Sequence, residues 1–317
     1  MSRGIKTLWI VIGSIFALGI VLAAVGFALG ASGSAWFDRQ GLHFGYGEER
    51  TMQLANNASE SFEDIDIRLI EADVEILVAD NYGYDFTYTG TNDPRIEVRH
   101  GTLTVVEQED NWRINIFGFW NWRGWSLFDT HAILKVYVPR NAALNSVSFS
   151  TASGRTVLNG NQISIKKLDC NSASGDIRLT DLTLEQLSLD VASGDVDMNN
   201  VAAASANINM LSGRLNYRGA ELDSLVLNMT SGDVDLEGEV TKLLQLRMIS
   251  GDASILLAGN QDDYSFQFRK LSGNIKVNGQ RVDGNTSWPS STNTSGNGQG
   301  GHIEVDTTSG NVNIDFR

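Results

Sequence analysis

The chain has 317 residues, with 24 Lys and Arg against 38 Asp and Glu, a formal net charge of −14 and a pI near 4.7. That balance excludes a protein that neutralises nucleic-acid phosphates through clustered Lys and Arg. Glycine is plentiful at 32 residues and proline scarce at 3, which fits tight turns between ordered strands and not a disordered linker protein. The single cysteine, Cys170, excludes an intramolecular disulfide and a cysteine-based zinc site.

The first element is a membrane segment. No residue from Thr7 to Trp36 is charged, and Leu8 to Leu29 is almost wholly apolar. At about 1.5 Å per residue such a helix reaches about 33 Å, enough to cross a bilayer core. Arg3 and Lys6 precede it, whereas Asp38, Glu48 and Glu49 follow. The positive-inside rule then places the N-terminus in the cytoplasm and the remainder outside. A cleaved signal peptide is the competing reading, with Gly33-Ser34-Ala35 as small residues near a cleavage position. The apolar run is longer than the usual signal core, which favours an uncleaved anchor. Residues 1–35 are therefore read as a cytoplasmic stub and transmembrane helix, 36–60 as a linker and 61–317 as one exported domain.

That domain opens with IDIRLIEADVEI, in which Ile65, Ile67, Leu69, Val74 and Ile76 alternate with polar residues on either side of Glu71-Ala72-Asp73. Period-two alternation on both sides of a short break means two strands, each with one inward face, joined at a corner. An excursion over 79–130 follows. It contains IEVRHGTLTVVEQ, read as a hairpin turning at His100-Gly101, and then the aromatic stretch Trp112 to Phe128. The strand Ile133 to Val138 leads back through Pro139.

From there, outside the Gly/Ser/Asn-rich segment 278–301, the dipeptide Ser-Gly recurs at Ser153, Ser174, Ser193, Ser212, Ser231, Ser250, Ser272 and Ser309, with steps of 21, 19, 19, 19, 19, 22 and 37 residues. Numbering slots from the Ser, positions −6, −4, −2, +3 and +5 are apolar: Leu187, Leu189, Val191, Val196 and Met198 around Ser193, and Leu225, Leu227, Met229, Val234 and Leu236 around Ser231. The same slots hold Ala206, Ile208, Met210, Leu215 and Tyr217 around Ser212, and Leu244, Leu246, Met248, Ala253 and Ile255 around Ser250. Leu182 and Leu184, or Val201 and Ala203, leave room for a third short strand in each coil. A sustained period near twenty predicts an all-β fold: a parallel β-helix or solenoid of about eight coils, whose stacked strands lie about 4.8 Å apart. One coil cannot offset its own chain entropy, and a stack can. A Gly/Ser/Asn-rich loop over 278–301 accounts for the long last step, after which residues 303–317 are expected to close the stack.

The run LKVYVPRNAALNSVSFSTASG, followed by S-G-D-[IV] repeats behind one anchor, resembles the bacterial adhesin-like domain family of unknown function with β-strand repeats. That family includes the LiaG-like proteins of envelope-stress operons, and the resemblance covers about Ser61 to Arg317. It implies a β-strand repeat fold at the cell envelope, with no catalytic motif to carry over. Arg155, Arg214, Asn274 and Asn311 depart from the Asp that usually follows Ser-Gly.

Candidate chemistry is sparse. Asp176, Asp195, Asp233 and Asp252 should form a column on one edge, with Arg214 interleaved. Such a column is a solvated row of turn residues or a set of oxygen ligands for Ca²⁺. A carbohydrate-active enzyme would need two carboxylates facing one sugar; Asp190, Asp195, Asp197, Asp233 and Asp235 supply carboxylates, but at every outward position, as a solvated surface would. His43, His100, His131 and His302 show no metal-ligand spacing. Cys170 sits at an inward slot and reads as core. The sharpest local feature is the aromatic stretch, where Trp112, Phe119, Trp120, Trp122 and Trp125 are read either as a cap on the first coil or as a contact site for a lipid surface, a glycan or a protein.

The expectation is a single-pass membrane protein whose exported solenoid is a non-enzymatic envelope scaffold or adhesin-like binding surface, accessory to envelope-stress sensing. An exported carbohydrate-active enzyme and a self-assembling structural element are the competing classes. No cofactor, metal site or nucleic-acid partner is expected. The partners are the membrane through residues 8–29, an envelope protein, lipid surface or glycan, and further copies of the chain.

Overall fold

The computed structural model describes residues 35–38, 41–44, 50–56, 59–90, 93–108, 114–115, 131–283, 285–288 and 301–317. In chain order the strands are β1 (Ala35–Asp38), β2 (Gly41–Phe44), β3 (Arg50–Asn56), β4 (Asp64–Ala79), β5 (Gly83–Gly90), β6 (Asp93–Arg99), β7 (Thr102–Gln108) and β8 (Ile114–Asn115). They continue with β9 (His131–Pro139), β10 (Ala143–Asn159), β11 (Ser164–Leu257), β12 (Ser265–Lys270), β13 (Asn274–Val277), β14 (Gln280–Val282), β15 (Thr286–Trp288) and β16 (His302–Phe316). Among the described residues no helix is long and apolar enough to cross a membrane. The apolar run 8–29 lies outside them.

The chain divides into two units. One contains a small antiparallel sheet of order β2-β1-β8, so part of the segment expected as a linker is stranded. The other is the solenoid. Its β11 runs unbroken for 94 residues because successive strands share corners and coil upon one another, Asp195 lying one turn above Asp176.

The inward slots are filled as the alternation requires. Leu187, Leu189, Val191, Val196 and Met198 are all buried, as are their equivalents in neighbouring turns and Ile65, Ile67, Leu69, Val74 and Ile76 in the first coil. The third strand is present, with Leu182, Leu184, Val201 and Ala203 buried. Tyr217 fills the core and donates its hydroxyl to the carbonyl of Val201 at 2.9 Å. A Cβ on Gly238 would come within 2.7 Å of its ring, which is why the next turn carries glycine there.

The Ser-Gly corner is the tightest contact in the stack. Gly175, Gly194, Gly213, Gly232 and Gly251 all have φ between 123° and 156°, a region closed to most side chains. A Cβ on any of them would sit 1.8–2.1 Å from the carbonyl oxygen of the glycine one turn below. Glycine is therefore required twice at this slot, for its dihedral and for its missing side chain.

The order of turns differs from the order of the sequence at both ends. The last turn of β11 pairs in parallel with β16 (Leu246↔Val305, Ile255↔Ile314), and β16 then pairs with β12 and β13 (Val305↔Phe268, Ile314↔Val277). Contrary to expectation, residues 303–317 do not close the stack; they are inserted beneath the turn that precedes them in sequence. The reason is the hairpin Asn278-Gly279. Its positive φ values of 48° and 75° make a two-residue turn that folds β14 back against β13 (Val277↔Gln280). With β15 also paired to β12, the outer edge of that turn is taken, and β16 can pair only on the inner one. The segment expected as a loop therefore begins with two covering strands.

The other end mirrors this arrangement. β7 and β9 together build one turn below β4 (Ile65↔Leu103, Val74↔Leu134), while β10 stacks on the opposite edge of β4 (Ile67↔Phe149). The hairpin expected at His100-Gly101 forms, pairing β6 with β7. Antiparallel β5 covers β9, with β3 beyond it. Each terminal turn thus presents antiparallel strands in place of a bare parallel edge, a common defence against edge-to-edge association.

Candidate binding face

The aspartate column forms where expected and holds turns together. The carboxylate of Asp176 accepts the backbone N–H of Asp195 at 3.2 Å, and that of Asp195 accepts the N–H of Arg214 at 3.1 Å. Asp73 does the same for Arg155 at 2.9 Å, and Asp252 accepts both the backbone N–H and the side-chain amide of Asn311. Asp73, Asp176, Asp195 and Asp252 thus each satisfy a corner N–H in the next turn, and the departures Arg155, Arg214 and Asn311 are compatible because the backbone is the donor. Among the described residues no group of three or more His, Cys, Asp or Glu is placed to hold a metal ion.

Amide ladders run beside the column. Asp190 accepts from Asn209, which accepts from Asn228, both at 2.8 Å, and Asp197 accepts from Asn216 at 2.9 Å. Cys170 is buried, and desolvation pushes its thiol well above the ordinary range, leaving it inert as a nucleophile. Of the histidines, His302 Nδ1 lies 2.8 Å from the hydroxyl of Ser265, bridging the inserted turn to the terminal one. The aromatic residues Trp112, Phe119, Trp120, Trp122 and Trp125 lie outside the described residues.

What the sequence did not single out is a groove. The outward positions beyond the Ser-Gly corner, slots +2, +4 and +6, line a broad depression of about 970 Å³. Exposed Arg178, Arg214, Arg218 and Lys276 contribute cations, and Asp233 and Asp235 face the same space. Arg178 approaches Asp197 at 3.6 Å. Arg214 lies between Asp195 and Asp233 in the column, yet its guanidinium makes no ion pair with either among the described residues; only its backbone is engaged. These residues alternate with inward apolar ones such as Leu215 and Val234, so the strands fix the point at which each leaves the backbone. In the sequence Arg178, Arg218 and Lys276 look like ordinary surface and Arg214 like one member of the aspartate column, because whether neighbouring charges pair is a property of side-chain placement.

A second surface feature is apolar. Ile70, Leu211, Ile249 and Leu271, four of the large hydrophobic residues exposed among those described, all occupy slot −1 at the outer corner. Leu271, in the terminal turn, is 83% exposed.

No curated protein matches the chain. Solved structures with a similar arrangement include a candidate adhesin from Parabacteroides distasonis, 11% identical over 84% of this chain and 97% of its own, with a TM-score of 0.40. A candidate lipid-binding protein from the same organism is 12% identical over 86% and 98%, with a TM-score of 0.41. A candidate cell adhesion protein from Clostridium sporogenes is 12% identical over 84% and 100%, with a TM-score of 0.23. At such scores, likeness to these proteins carries no information about a ligand. The family model is decisive for kinship: it matches residues 62–315, from the strand preceding the first corner to the end of the inserted turn. The chain belongs to the Toastrack family, DUF4097.

Proposed function

We propose that the protein is a membrane-anchored, exported β-solenoid that serves as a non-enzymatic binding scaffold in the cell envelope. The single-pass anchor over residues 8–29, with the N-terminus cytoplasmic and the β domain extracytoplasmic, follows from the sequence alone. The observation that carries the binding role is the groove: a polar depression across several rigid turns, with exposed side chains of both charges aimed into one space. Such a surface recognises an extended polar polymer by many weak contacts. Of the carboxylates that a hydrolase could draw on, Asp176, Asp190, Asp195 and Asp197 are engaged between turns, and Asp233 and Asp235 face the groove among cations.

The test is co-sedimentation of the full chain, purified in detergent, with insoluble cell-wall material. A folded variant with Trp120, Trp122 and Trp125 changed to Ala is run beside it. Sedimentation of both assigns contact to the solenoid; loss in the variant assigns it to the aromatic stretch; no sedimentation of the parent refutes the wall-binding reading. A second reading, contact with a lipid surface, is favoured by the apolar row at slot −1. Leu211→Ser with Leu271→Ser would then abolish recruitment of lipid vesicles and leave wall binding intact. Accessibility is checked separately: protease added to cells stripped of their wall should cut the β domain and spare residues 1–7.

A further inference from the structure

We propose that the groove takes a zwitterionic, hydroxyl-bearing chain, one that carries amino groups and anionic groups in close succession; this rests on the binding role above and names its ligand class. The groove is not uniformly basic or acidic. Slots +2 and +6 of one turn carry Arg214 and Arg218, whose guanidinium groups form no ion pair among the described residues. The next turn, about 5 Å further along the axis, carries Asp233 and Asp235, whose carboxylates likewise have no partner among the described residues.

Arg214 and Asp233 share one column in adjacent turns without an ion pair between them, whereas elsewhere on the same protein cross-turn pairs do form. Lys242 reaches Asp223 at 2.5 Å, and Arg269 reaches Glu304 at 3.1 Å. Donors and acceptors left over in adjacent turns match a ligand presenting an anion to one turn and an ammonium to the next. Around them, Asn216, Ser254 and Asn313 line the groove with groups suited to hydroxyls and amides. On a chain of net charge −14 a purely anionic polymer would be repelled, and a purely cationic one would leave the arginines unmatched.

The probe is a soluble disaccharide-peptide fragment released from cell-wall material, bearing free amino and carboxyl groups. Three forms are titrated against the full chain in detergent: untreated, amine-acetylated and carboxyl-amidated. Arg214→Gln with Arg218→Gln, and Asp233→Asn with Asp235→Asn, are made as double variants at exposed positions and checked for unchanged melting. The expected result is at least a tenfold loss on acetylation in the parent, with no further loss on acetylation in the aspartate variant; amidation and the arginine variant should behave as the corresponding pair. Equal affinity for all three forms, or double variants that bind like the parent, overturns the assignment. If the fragment fails to bind while whole wall material still sediments the protein, the ligand class is wrong and the scaffold reading stands. If neither binds, both fall.

Discussion

The glycine at each Ser-Gly corner offers a direct measure of how tightly the turns are held. Consider Gly213→Ala. The new Cβ would lie 1.9 Å from the Gly194 carbonyl oxygen and 2.9 Å from its carbon, against an ordinary contact of 3.4–4 Å. Relief requires the two turns to part by roughly 1.5 Å, a third of the inter-strand spacing. Backbone bonds flanking the corner would break at about 1 kcal/mol each. The dihedral of +123° adds strain of about 1–3 kcal/mol for any residue with a side chain. A total of about 3–6 kcal/mol is a large share of the 5–15 kcal/mol that typically holds a domain.

Gly259→Ala is the matched control. Its φ of +109° is comparable, but nothing lies within 4 Å of its Cβ position, so only the dihedral strain should be felt. Urea unfolding followed by far-UV circular dichroism on the full chain should show a much lower midpoint for Gly213→Ala than for Gly259→Ala. Equal midpoints would mean that the corner contact does not hold the turns, and the reasoning would fail.

Further outcomes follow from the same geometry. Deleting residues 302–317 removes the inserted turn, with Ile303, Val305, Val312 and Ile314 fully buried; at about 2 kcal/mol each, proteolysis should then open 265–288 first, whereas survival of that segment would refute the insertion. Asp195→Ala, which leaves the Arg214 N–H without its acceptor, should cost about 1 kcal/mol and Asp195→Asn almost nothing. A chelator should leave the melting temperature unchanged in either case, whereas a shift would revive the calcium reading of the column. Burial holds the phenols of Tyr217 and Tyr264 above the ordinary tyrosine range. Their neutral forms are the ones the fold accepts, so that contribution is complete below about pH 10 and is lost as pH rises beyond it. Melting temperature should therefore fall more steeply above pH 10 in the parent than in Tyr217→Phe; parallel slopes would count against burial as the cause.

Much of this architecture can be read from residues. Alternation around Ser193 or Ser231 names the buried side chains, and the spacing names the stack, because burial on a pleated strand has period two. Cys170, at an inward slot, was legible for the same reason. The order of turns was not, since Phe266, Phe268, Ile275 and Val277 fill the same slots as Ile303, Val305, Val312 and Ile314, and either set would satisfy the turn above. The deciding signal was present in Asn278-Gly279, a two-residue hairpin turn within a segment whose composition suggested a loop. The groove was illegible for a different reason. Arg214 and Asp233 look like any outward pair, and only the placement of their side chains shows that they form no ion pair.

The central claim, that the face beyond the Ser-Gly corner is the binding surface, is tested most directly by one comparison. Full-length protein and the fourfold variant Arg214→Gln, Arg218→Gln, Asp233→Asn, Asp235→Asn, with matched melting temperatures, are sedimented with insoluble cell-wall material. The parent is predicted to pellet with the wall and the variant to remain in solution. Equal pelleting of the two would place the contact elsewhere on the molecule and contradict the claim.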